Sequence, residues 1–269
     1  MPPESGVTPE TLMHESLGAV TEDAMLGGAL RLRQLRRGHR VGHDAVLLAA
    51  ACPARGGEHV VDLGAGVGAA GLAVAARAPE IAVTLVEIDP ELAALAGENA
   101  KLNGLAERVR SLSLDAAAPA RAFAAAGLAP DRIDRVLMNP PFNDPVRQRA
   151  SPDRRRRLAH AAPRDALAAW IRTAARLLRP NGTLTLIFRA DGLVDLGRAL
   201  DSGFGAVTVL PVYSKPDQPA VRILVRATKA SRAPLVLLPG LVLNDVGGRP
   251  TPQAEAVLRA GATLPLALI

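Results

Sequence analysis

The chain contains a single cysteine, Cys52, among its 269 residues. One cysteine cannot form a disulfide within the chain, and it leaves no paired cysteines for a structural zinc site. The histidines, at positions 14, 39, 43, 59 and 160, also lack metal-ligand spacing. We therefore expect a protein without a metal site, and the cysteine usage fits a reducing, cytoplasmic location.

Long apolar runs are absent as well. Residues 1–23 are polar and acidic, without the basic start and apolar stretch of a signal peptide. Apolar stretches such as 234–238 are far shorter than the roughly 20 residues that a membrane-spanning helix requires. We therefore expect no signal peptide and no membrane partner.

Aromatic residues make up only 2% of the sequence, whereas hydrophobic residues as a whole make up 49%. This balance still indicates a soluble globular protein. The formal net charge of +6 favours an anionic partner such as nucleic acid, through long-range attraction and phosphate contacts. A surface rich in arginine because of codon usage explains the charge equally well.

From residue 59 onward, apolar segments typical of strands alternate with segments typical of helices. The predicted strands are 59–63, 83–88, 109–114, 135–138, 182–188, 206–212 and 221–227. The predicted helices between them are 69–78, 91–103, 165–178 and 193–200. Alternation of this kind predicts parallel strands joined by crossover helices, and the two adjacent last strands predict an antiparallel hairpin. The expected fold is Rossmann-like α/β, with a seven-stranded, mostly parallel sheet whose last strand is antiparallel.

The region before this sheet predicts a small β-hairpin and one helix. Residues 29–35 partly alternate apolar and polar side chains, and 36–39 read as the turn that follows. Asp44 is expected to cap a helix over 45–51. The predicted organisation is a flexible arm at 1–24 and one domain at 25–269. The parts of that domain are the hairpin at 25–45, the core at 58–230 and a C-terminal extension at 231–269.

A glycine-rich loop follows the first core strand, where 62–68 read Asp-Leu-Gly-Ala-Gly-Val-Gly. Glycines let the backbone approach a ligand, and the helix that follows offers free N–H groups. The loop therefore predicts a nucleotide-cofactor site. Because 66–71 also fit the dinucleotide fingerprint, the loop by itself leaves S-adenosylmethionine and NAD as alternatives.

Acidic residues at three strand ends favour S-adenosylmethionine. Asp62 can accept hydrogen bonds from the loop and, through water, from a cofactor amino group. Glu87 can accept both ribose hydroxyls, and Asp115 is suitably placed for an adenine amino group. The cofactor-binding residues predicted on this basis are Asp62, Gly64, Gly66, Gly68, Glu87, Ile88 and Asp115.

An Asn-Pro-Pro-Phe motif at 139–142 follows the fourth core strand, at the edge where open α/β sheets bind ligands. The lone pair of an amide or adenine NH₂ is delocalised, so the nitrogen attacks a methyl sulfonium poorly. Two acceptors, the side-chain oxygen of Asn139 and the backbone carbonyl of Pro140, would favour a pyramidal nitrogen and stabilise its growing charge. The predicted catalytic residues are Asn139, Pro140, Pro141 and Phe142.

Substrate contacts are predicted from the end of this motif onward. Phe142 offers a face on which a flipped base can stack, and the prolines hold the backbone rigid. A basic segment follows, with arginines at 147, 149 and 154–157, which can hold RNA phosphates or remain a solvated loop. The predicted substrate-binding residues are Phe142, Arg154, Arg155, Arg156 and His160.

On these residues, the chain resembles class I S-adenosylmethionine-dependent methyltransferases of the small-domain type, most closely the bacterial valine-tRNA adenine-N6-methyltransferase family. The resemblance covers roughly residues 20 to 260. Beyond the generic motifs, it includes the segments 21–23, 38–45, 237–240 and 251–255. It implies a transfer to adenine N6 in tRNA, and it implies that Gly42 and Asp44 help to close over the cofactor, with Asn139 also beside it.

Other functions remain open at this point. The same motif serves methylation of a protein glutamine, because its amide nitrogen poses the same electronic problem. Guanine N2 in ribosomal RNA is a further acceptor, and DNA adenine is disfavoured because no target-recognition domain is evident. Two functions of a different class also remain open: an NAD-dependent oxidoreductase and a nucleotide-binding module without catalysis.

Overall fold

The structure, a computed structural model, describes residues 20–36, 40–141, 163–201 and 203–268. Its strands are β1 (Val20–Met25), β2 (Leu30–Leu35), β3 (His59–Leu63), β4 (Ala82–Glu87), β5 (Val109–Ser113), β6 (Ile133–Met138), β7 (Leu178–Arg189), β8 (Phe204–Tyr213), β9 (Ala220–Lys229), β10 (Val236–Leu237) and β11 (Leu241–Val242). Its helices are α1 (His43–Ala51), α2 (Ala69–Arg77), α3 (Pro90–Leu102), α4 (Ala120–Ala125), α5 (Pro163–Leu177), α6 (Leu193–Leu200) and α7 (Pro252–Leu258).

The main sheet runs in the order β10-β8-β9-β7-β6-β3-β4-β5, and β11 also pairs with β8. The five strands from β7 to β5 are parallel, whereas β9 is antiparallel to both β7 and β8. The predicted Rossmann-like fold, its mostly parallel sheet and its antiparallel last core strand are therefore confirmed. Two short strands of the C-terminal extension, β10 and β11, lengthen the sheet beyond the seven strands predicted.

Alternating side chains of the strands build a hydrophobic core on each face of the sheet. Val60 and Val83 belong to the core that contains α1 and α2, and Val61 and Val86 belong to the core that contains α5. This two-sided burial explains why the strands are nearly continuous apolar runs. Residues of the C-terminal extension, Leu241, Val257, Leu264 and Leu266, are buried in the α1 core, so the extension packs against the same core as α1 and α2.

The N-terminal hairpin is formed by β1 and β2, whereas the sequence predicted the β2 segment as its first strand. The predicted strand at 29–35 exists as β2, but it pairs with β1, so that Val20 faces Leu35 and Met25 faces Leu30. The turn is at 26–28, where Gly27 and Gly28 have φ of +64° and +97°, rather than at 36–39. Residues 20–24 therefore belong to the hairpin and not to the predicted arm, of which 1–19 lie outside the described residues.

Helix α1 begins two residues earlier than predicted, because its N-cap is Gly42 rather than Asp44. The opposite end is held by Arg77 of α2, whose guanidinium donates hydrogen bonds to the carbonyls of Ala49 and Cys52 at 2.6 and 2.9 Å. Asp44 lies in the first turn, where its carboxylate is still favourably placed near the helix N-terminus. Among the helices described, none has the length and apolar character to cross a membrane.

Candidate active site

The predicted site residues follow strands whose carboxyl ends meet at one edge of the sheet. Leu63 at the end of β3 lies between Val86 of β4 and Met138 of β6, and Glu87 faces Ser113 at the end of β5. The chain proceeds from β3 to β4 and β5 on one side and returns to β6 on the other side. Such a reversal leaves a crevice above the strand ends, where α/β sheets bind ligands.

The glycine loop follows β3 and lies at this crevice. Gly64, Gly66 and Gly68 all have positive φ, of +73°, +57° and +90°. The backbone N–H groups of Gly64 and Ala65 donate to the carbonyl of Val86 on β4, at 2.8 and 2.9 Å. The loop therefore adopts a tight conformation that is anchored to the neighbouring strand, as a ligand-binding loop requires.

Asp62 lies beneath the loop and is almost fully buried, with 2% of its surface exposed. Its Oδ2 accepts a hydrogen bond from the N–H of Gly71 in α2 at 2.9 Å. The pKa of Asp62 is raised to about 7, mainly because the carboxyl is buried; the hydrogen bond from the Gly71 N–H lowers it in part, and the nearby Glu87 adds to the rise. Asp62 thus fastens α2 to β3; the hydrogen bond that it accepts comes from this helix rather than from the loop itself.

The raised pKa of Asp62 predicts a pH-dependent stability. The folded protein retains a proton that the unfolded chain releases, so this stabilisation is complete below about pH 4 and is lost as the pH rises through about 7. Compared with an Asp62→Asn variant, the wild type should lose on the order of 1–4 kcal/mol of unfolding free energy across that window. Urea unfolding of both proteins from pH 4 to pH 8 measures the difference, and parallel curves would contradict the assignment.

Glu87 connects the loop to the end of β4. Its side chain is nearly buried, and its two oxygens accept hydrogen bonds from the N–H groups of Gly66 and Asp89, at 2.8 and 3.0 Å. Because each carboxylate oxygen has two lone pairs, one on each oxygen is left for a ligand hydroxyl. The next residue, Ile88, is 46% exposed and presents an apolar surface at the same edge.

Asp115 follows β5 and is exposed. Its Oδ1 accepts a hydrogen bond from the N–H of Ala117 at 2.8 Å, and its carbonyl accepts one from Ala118 at 2.9 Å. These bonds form a turn that fixes the carboxylate at the strand end. Glu87, Ile88 and Asp115 therefore line the side of the crevice above β4 and β5.

Asn139 follows β6, on the other side of the glycine loop. Its side-chain Oδ1 is buried and accepts no hydrogen bond from the part of the chain that the structure describes. Buried acceptors without a partner are rare and cost on the order of 1–3 kcal/mol. Pro140 next to it is buried and Pro141 is exposed. An unsatisfied acceptor held on a rigid support at the crevice is the arrangement expected for an atom that binds a substrate N–H.

Gly42 and Asp44 lie at the start of α1. Gly42 is exposed, with open space where a side chain would begin. Asp44 forms an ion pair with Arg222 of β9, with Nε–Oδ2 at 3.0 Å. Arg222 faces Arg189, the last residue of β7, so the pair lies at the same edge of the sheet. Sequence reasoning missed Arg222, because no local signal connects residues so far apart in the chain.

A second missed residue is Trp170 of α5, the only tryptophan in the chain. Its ring lies against Gly64, where an added Cβ would meet the ring atoms Cη2 and Cζ3 at 2.3 and 2.6 Å. One tryptophan in an aromatic-poor chain was a signal that could have directed attention to it. The predicted substrate residues Phe142, Arg154, Arg155, Arg156 and His160 lie outside the described residues.

The contact between Trp170 and Gly64 predicts different outcomes for two similar glycine substitutions. Gly64→Ala should lower the melting temperature strongly, because its Cβ would collide with the indole as well as strain the positive φ. Gly66→Ala has the same φ penalty but meets nothing within 4 Å, so it should reduce stability less and cofactor binding more. Thermal unfolding with and without S-adenosylmethionine separates the two effects, and equal melting temperatures would refute the role of Trp170.

The chain's similarity to known proteins agrees with this geometry. Residues 39–215 match a family model described as methyltransferase small domain. The chain belongs to this family. The match extends from the region before α1 to the end of β8, and it therefore includes the glycine loop, Glu87 and the 139–142 motif. The match decides between the two cofactors that the loop left open, because a methyltransferase needs a methyl donor and NAD is not one. The prediction of S-adenosylmethionine is therefore confirmed.

Two curated relatives and one solved structure illustrate the similarity. The tRNA1(Val) (adenine(37)-N6)-methyltransferase of Dyadobacter fermentans is 27% identical over 219 residues, which cover 81% of this chain and 87% of that protein. The release factor glutamine methyltransferase of Chlorobaculum tepidum is 29% identical over 165 residues, which cover 59% of this chain and 55% of that protein. A crystal structure of a predicted O-methyltransferase from Agrobacterium tumefaciens has 32% identity and a TM-score of 0.67, covering 82% of this chain and 98% of that chain.

These similarities confirm the enzyme class. The sequence predicted an S-adenosylmethionine-dependent methyltransferase that resembles valine-tRNA adenine-N6-methyltransferases, and both predictions are confirmed. The relatives carry names with different acceptors, so the acceptor of this methyltransferase has to be argued from its own site.

Proposed function

We propose that this methyltransferase transfers a methyl group to the exocyclic N6 of an adenine in tRNA. The observation that carries the proposal is the buried Oδ1 of Asn139 directly after β6, which has no hydrogen-bond partner among the described residues. An acceptor for N–H at the reacting centre suits an amino or amide nitrogen. An alcohol oxygen, by contrast, calls for a general base. The relative from Dyadobacter fermentans, which the chain covers almost completely, supports adenine and tRNA by its name.

Asn139 and Pro140 would act on the amino group from two directions. The side-chain oxygen of Asn139 accepts one N–H and the carbonyl of Pro140 accepts the other. The nitrogen then becomes more pyramidal, and its lone pair is less delocalised into the adenine ring. Both acceptors are in place before the substrate arrives, because proline fixes the backbone torsion. Preorganised dipoles of this kind stabilise the positive charge that develops on nitrogen during transfer. The amino proton is released to solvent after the transfer, so no protein base is required.

The residues on the other side of the loop would hold the cofactor. When bound, S-adenosylmethionine supplies a methyl group on a sulfonium. Glu87 has lone pairs left for the ribose hydroxyls, and the exposed Ile88 offers an apolar face beside Asp115, whose carboxylate suits an adenine amino group. The open space at Gly66 leaves room for the backbone to approach the ligand.

A second candidate acceptor is a glutamine side chain in a protein. It is favoured by the release factor glutamine methyltransferase among the relatives, although that protein aligns over little more than half its length. The amide nitrogen of glutamine has the same delocalised lone pair as the amino group of adenine. The net charge of +6 favours the polyanionic RNA over a protein substrate.

One experiment discriminates between these acceptors. Purified enzyme and isotope-labelled S-adenosylmethionine are incubated in parallel with bulk tRNA, ribosomal RNA and a bacterial release factor. Nucleosides and tryptic peptides are then analysed by mass spectrometry. We expect labelled N6-methyladenosine from tRNA only. Label in a glutamine or in N2-methylguanosine would establish the corresponding alternative, and label in none of the three with demonstrable cofactor binding would refute the proposal.

A further inference from the structure

Two asparagines, one in α3 and one at its C-cap, hold the N-terminal hairpin against the core. The side chain of Asn99 accepts a hydrogen bond from the N–H of Arg33 in β2 and donates one to its carbonyl, at 2.8 and 3.0 Å. Asn103, one turn later, makes the same two bonds with Arg31, at 2.9 and 2.7 Å. Each side-chain amide thus replaces a peptide group of a neighbouring strand, and together they bind the edge of β2.

Of the two asparagines, Asn99 also contacts the glycine loop. Its Nδ2 donates a second hydrogen bond to the carbonyl of Val67, at 3.0 Å. Val67 lies in the glycine loop, between the positive-φ residues Gly66 and Gly68. The side chain of Asn99 is fully buried, so water does not compete for these bonds. The second donor of Asn103, by contrast, goes back to the carbonyl of Asn99 in its own helix, at 2.7 Å.

We propose that Asn99 is a positioning residue through which the hairpin holds the glycine loop in its cofactor-binding conformation. A loop with three glycines has large conformational freedom when it is unanchored, and a ligand that binds it must restrict that freedom. Asn99 restricts it in advance by fixing the carbonyl of Val67. The orientation of Asn99 is in turn fixed by the backbone of Arg33. The inference rests on the proposed cofactor site at 64–68.

The pair of asparagines provides a matched test. Asn99→Ala and Asn103→Ala each remove two hydrogen bonds to β2, but only Asn99→Ala releases Val67. Because a released loop has to be ordered again when the cofactor binds, we expect Asn99→Ala to raise the Kd for S-adenosylmethionine about tenfold and Asn103→Ala to raise it less than about threefold. Both should lower the melting temperature. Calorimetric titration and thermal unfolding measure the two quantities.

An isosteric variant and a kinetic readout separate positioning from a general loss of stability. Asn99→Asp keeps the acceptor for the Arg33 N–H but loses the Nδ2 donor to the carbonyls of Val67 and Arg33, so it should weaken cofactor binding like Asn99→Ala. In steady-state assays, both variants should raise KM for the cofactor and leave kcat at saturating cofactor nearly unchanged. Equal effects of Asn99→Ala and Asn103→Ala on the Kd would overturn the proposal.

The wild-type protein provides a test that does not depend on folding of a variant. If the loop and the hairpin are coupled through Asn99, saturating cofactor should slow amide exchange of Arg33 more than that of Arg31. Residue-resolved hydrogen exchange measures both amides, and equal or absent protection would contradict the coupling.

A Glu87→Ala variant distinguishes a failure of the proposed cofactor site from a failure of the proposed role of Asn99. If this variant binds the cofactor normally, the proposed site itself is wrong, whereas loss of binding leaves only the role of Asn99 in question.

Discussion

Asn139→Ala is expected to reduce kcat for methyl transfer to tRNA by a factor of about 10²–10³, the effect typical of removing one preorganised charge-stabilising group. Its Oδ1 is buried at the crevice and accepts no hydrogen bond within the ranges that the structure describes, so it would be available to the substrate amino group. The Kd for S-adenosylmethionine should rise by less than about tenfold, because Glu87 and the glycine loop remain in place. Single-turnover assays and calorimetric titration measure the two quantities.

The stability of the same variant is an independent check. Removing a buried acceptor that has no partner should leave the melting temperature unchanged or raise it, since the unpaired group destabilises the folded state. Asn139→Asp retains an acceptor oxygen and serves as the matched control, which should keep much more activity than the alanine variant. A clear fall in melting temperature with activity preserved would mean that Asn139 is a structural residue.

Glu87→Ala is expected to raise the Kd for S-adenosylmethionine about 100-fold or more, because charge-assisted hydrogen bonds contribute about 1.5–3 kcal/mol each. The carboxylate has a double role in the structure. It accepts the N–H groups of Gly66 and Asp89, and it would accept the ribose hydroxyls of the cofactor. Its loss therefore removes ligand contacts and loosens the loop, and the melting temperature should fall as well.

Two comparisons make the result for Glu87 specific. Glu87→Gln keeps one acceptor oxygen and should weaken binding less than the alanine variant. Glu107→Ala removes the same charge at an exposed position and should bind the cofactor like the wild type. If Glu107→Ala weakened binding as much as Glu87→Ala, the effect would reflect net charge rather than the proposed contact.

The succession of strands and helices along the chain could be predicted because parallel strands and crossover helices leave a periodic apolar pattern. The partner strand and the turn of the N-terminal hairpin could not be predicted in this way. The acidic residues Glu22 and Asp23 hide the alternation of β1. They point to opposite faces of the ribbon, and the partly buried carboxylate of Asp23 accepts a hydrogen bond from the side chain of Gln34 at 2.9 Å. The turn was signalled by Gly27 and Gly28, whose positive φ the hairpin requires.

For the candidate site, the sequence indicates residues with suitable chemistry but not the contacts between them. Glycines before a helix, acids at strand ends and Asn139 before two prolines each have a local chemical meaning. The contacts that hold them together join distant parts of the chain, such as Trp170 on Gly64 and Arg222 on Asp44. No spacing rule connects residues that meet only after the sheet has formed.

The sequence by itself determined the fold class and the enzyme class, and it predicted the cofactor loop and the kind of nitrogen that the 139–142 motif suits, because each depends on residues adjacent along the chain. Only the tertiary structure decided which groups are already satisfied and which are left for a ligand. It showed that each oxygen of Glu87 accepts one backbone N–H and keeps a lone pair for a ligand, whereas the buried oxygen of Asn139 has no partner in the described part of the chain. Hydrogen bonding in a buried site depends on which groups packing brings within reach, and packing is a property of the whole fold.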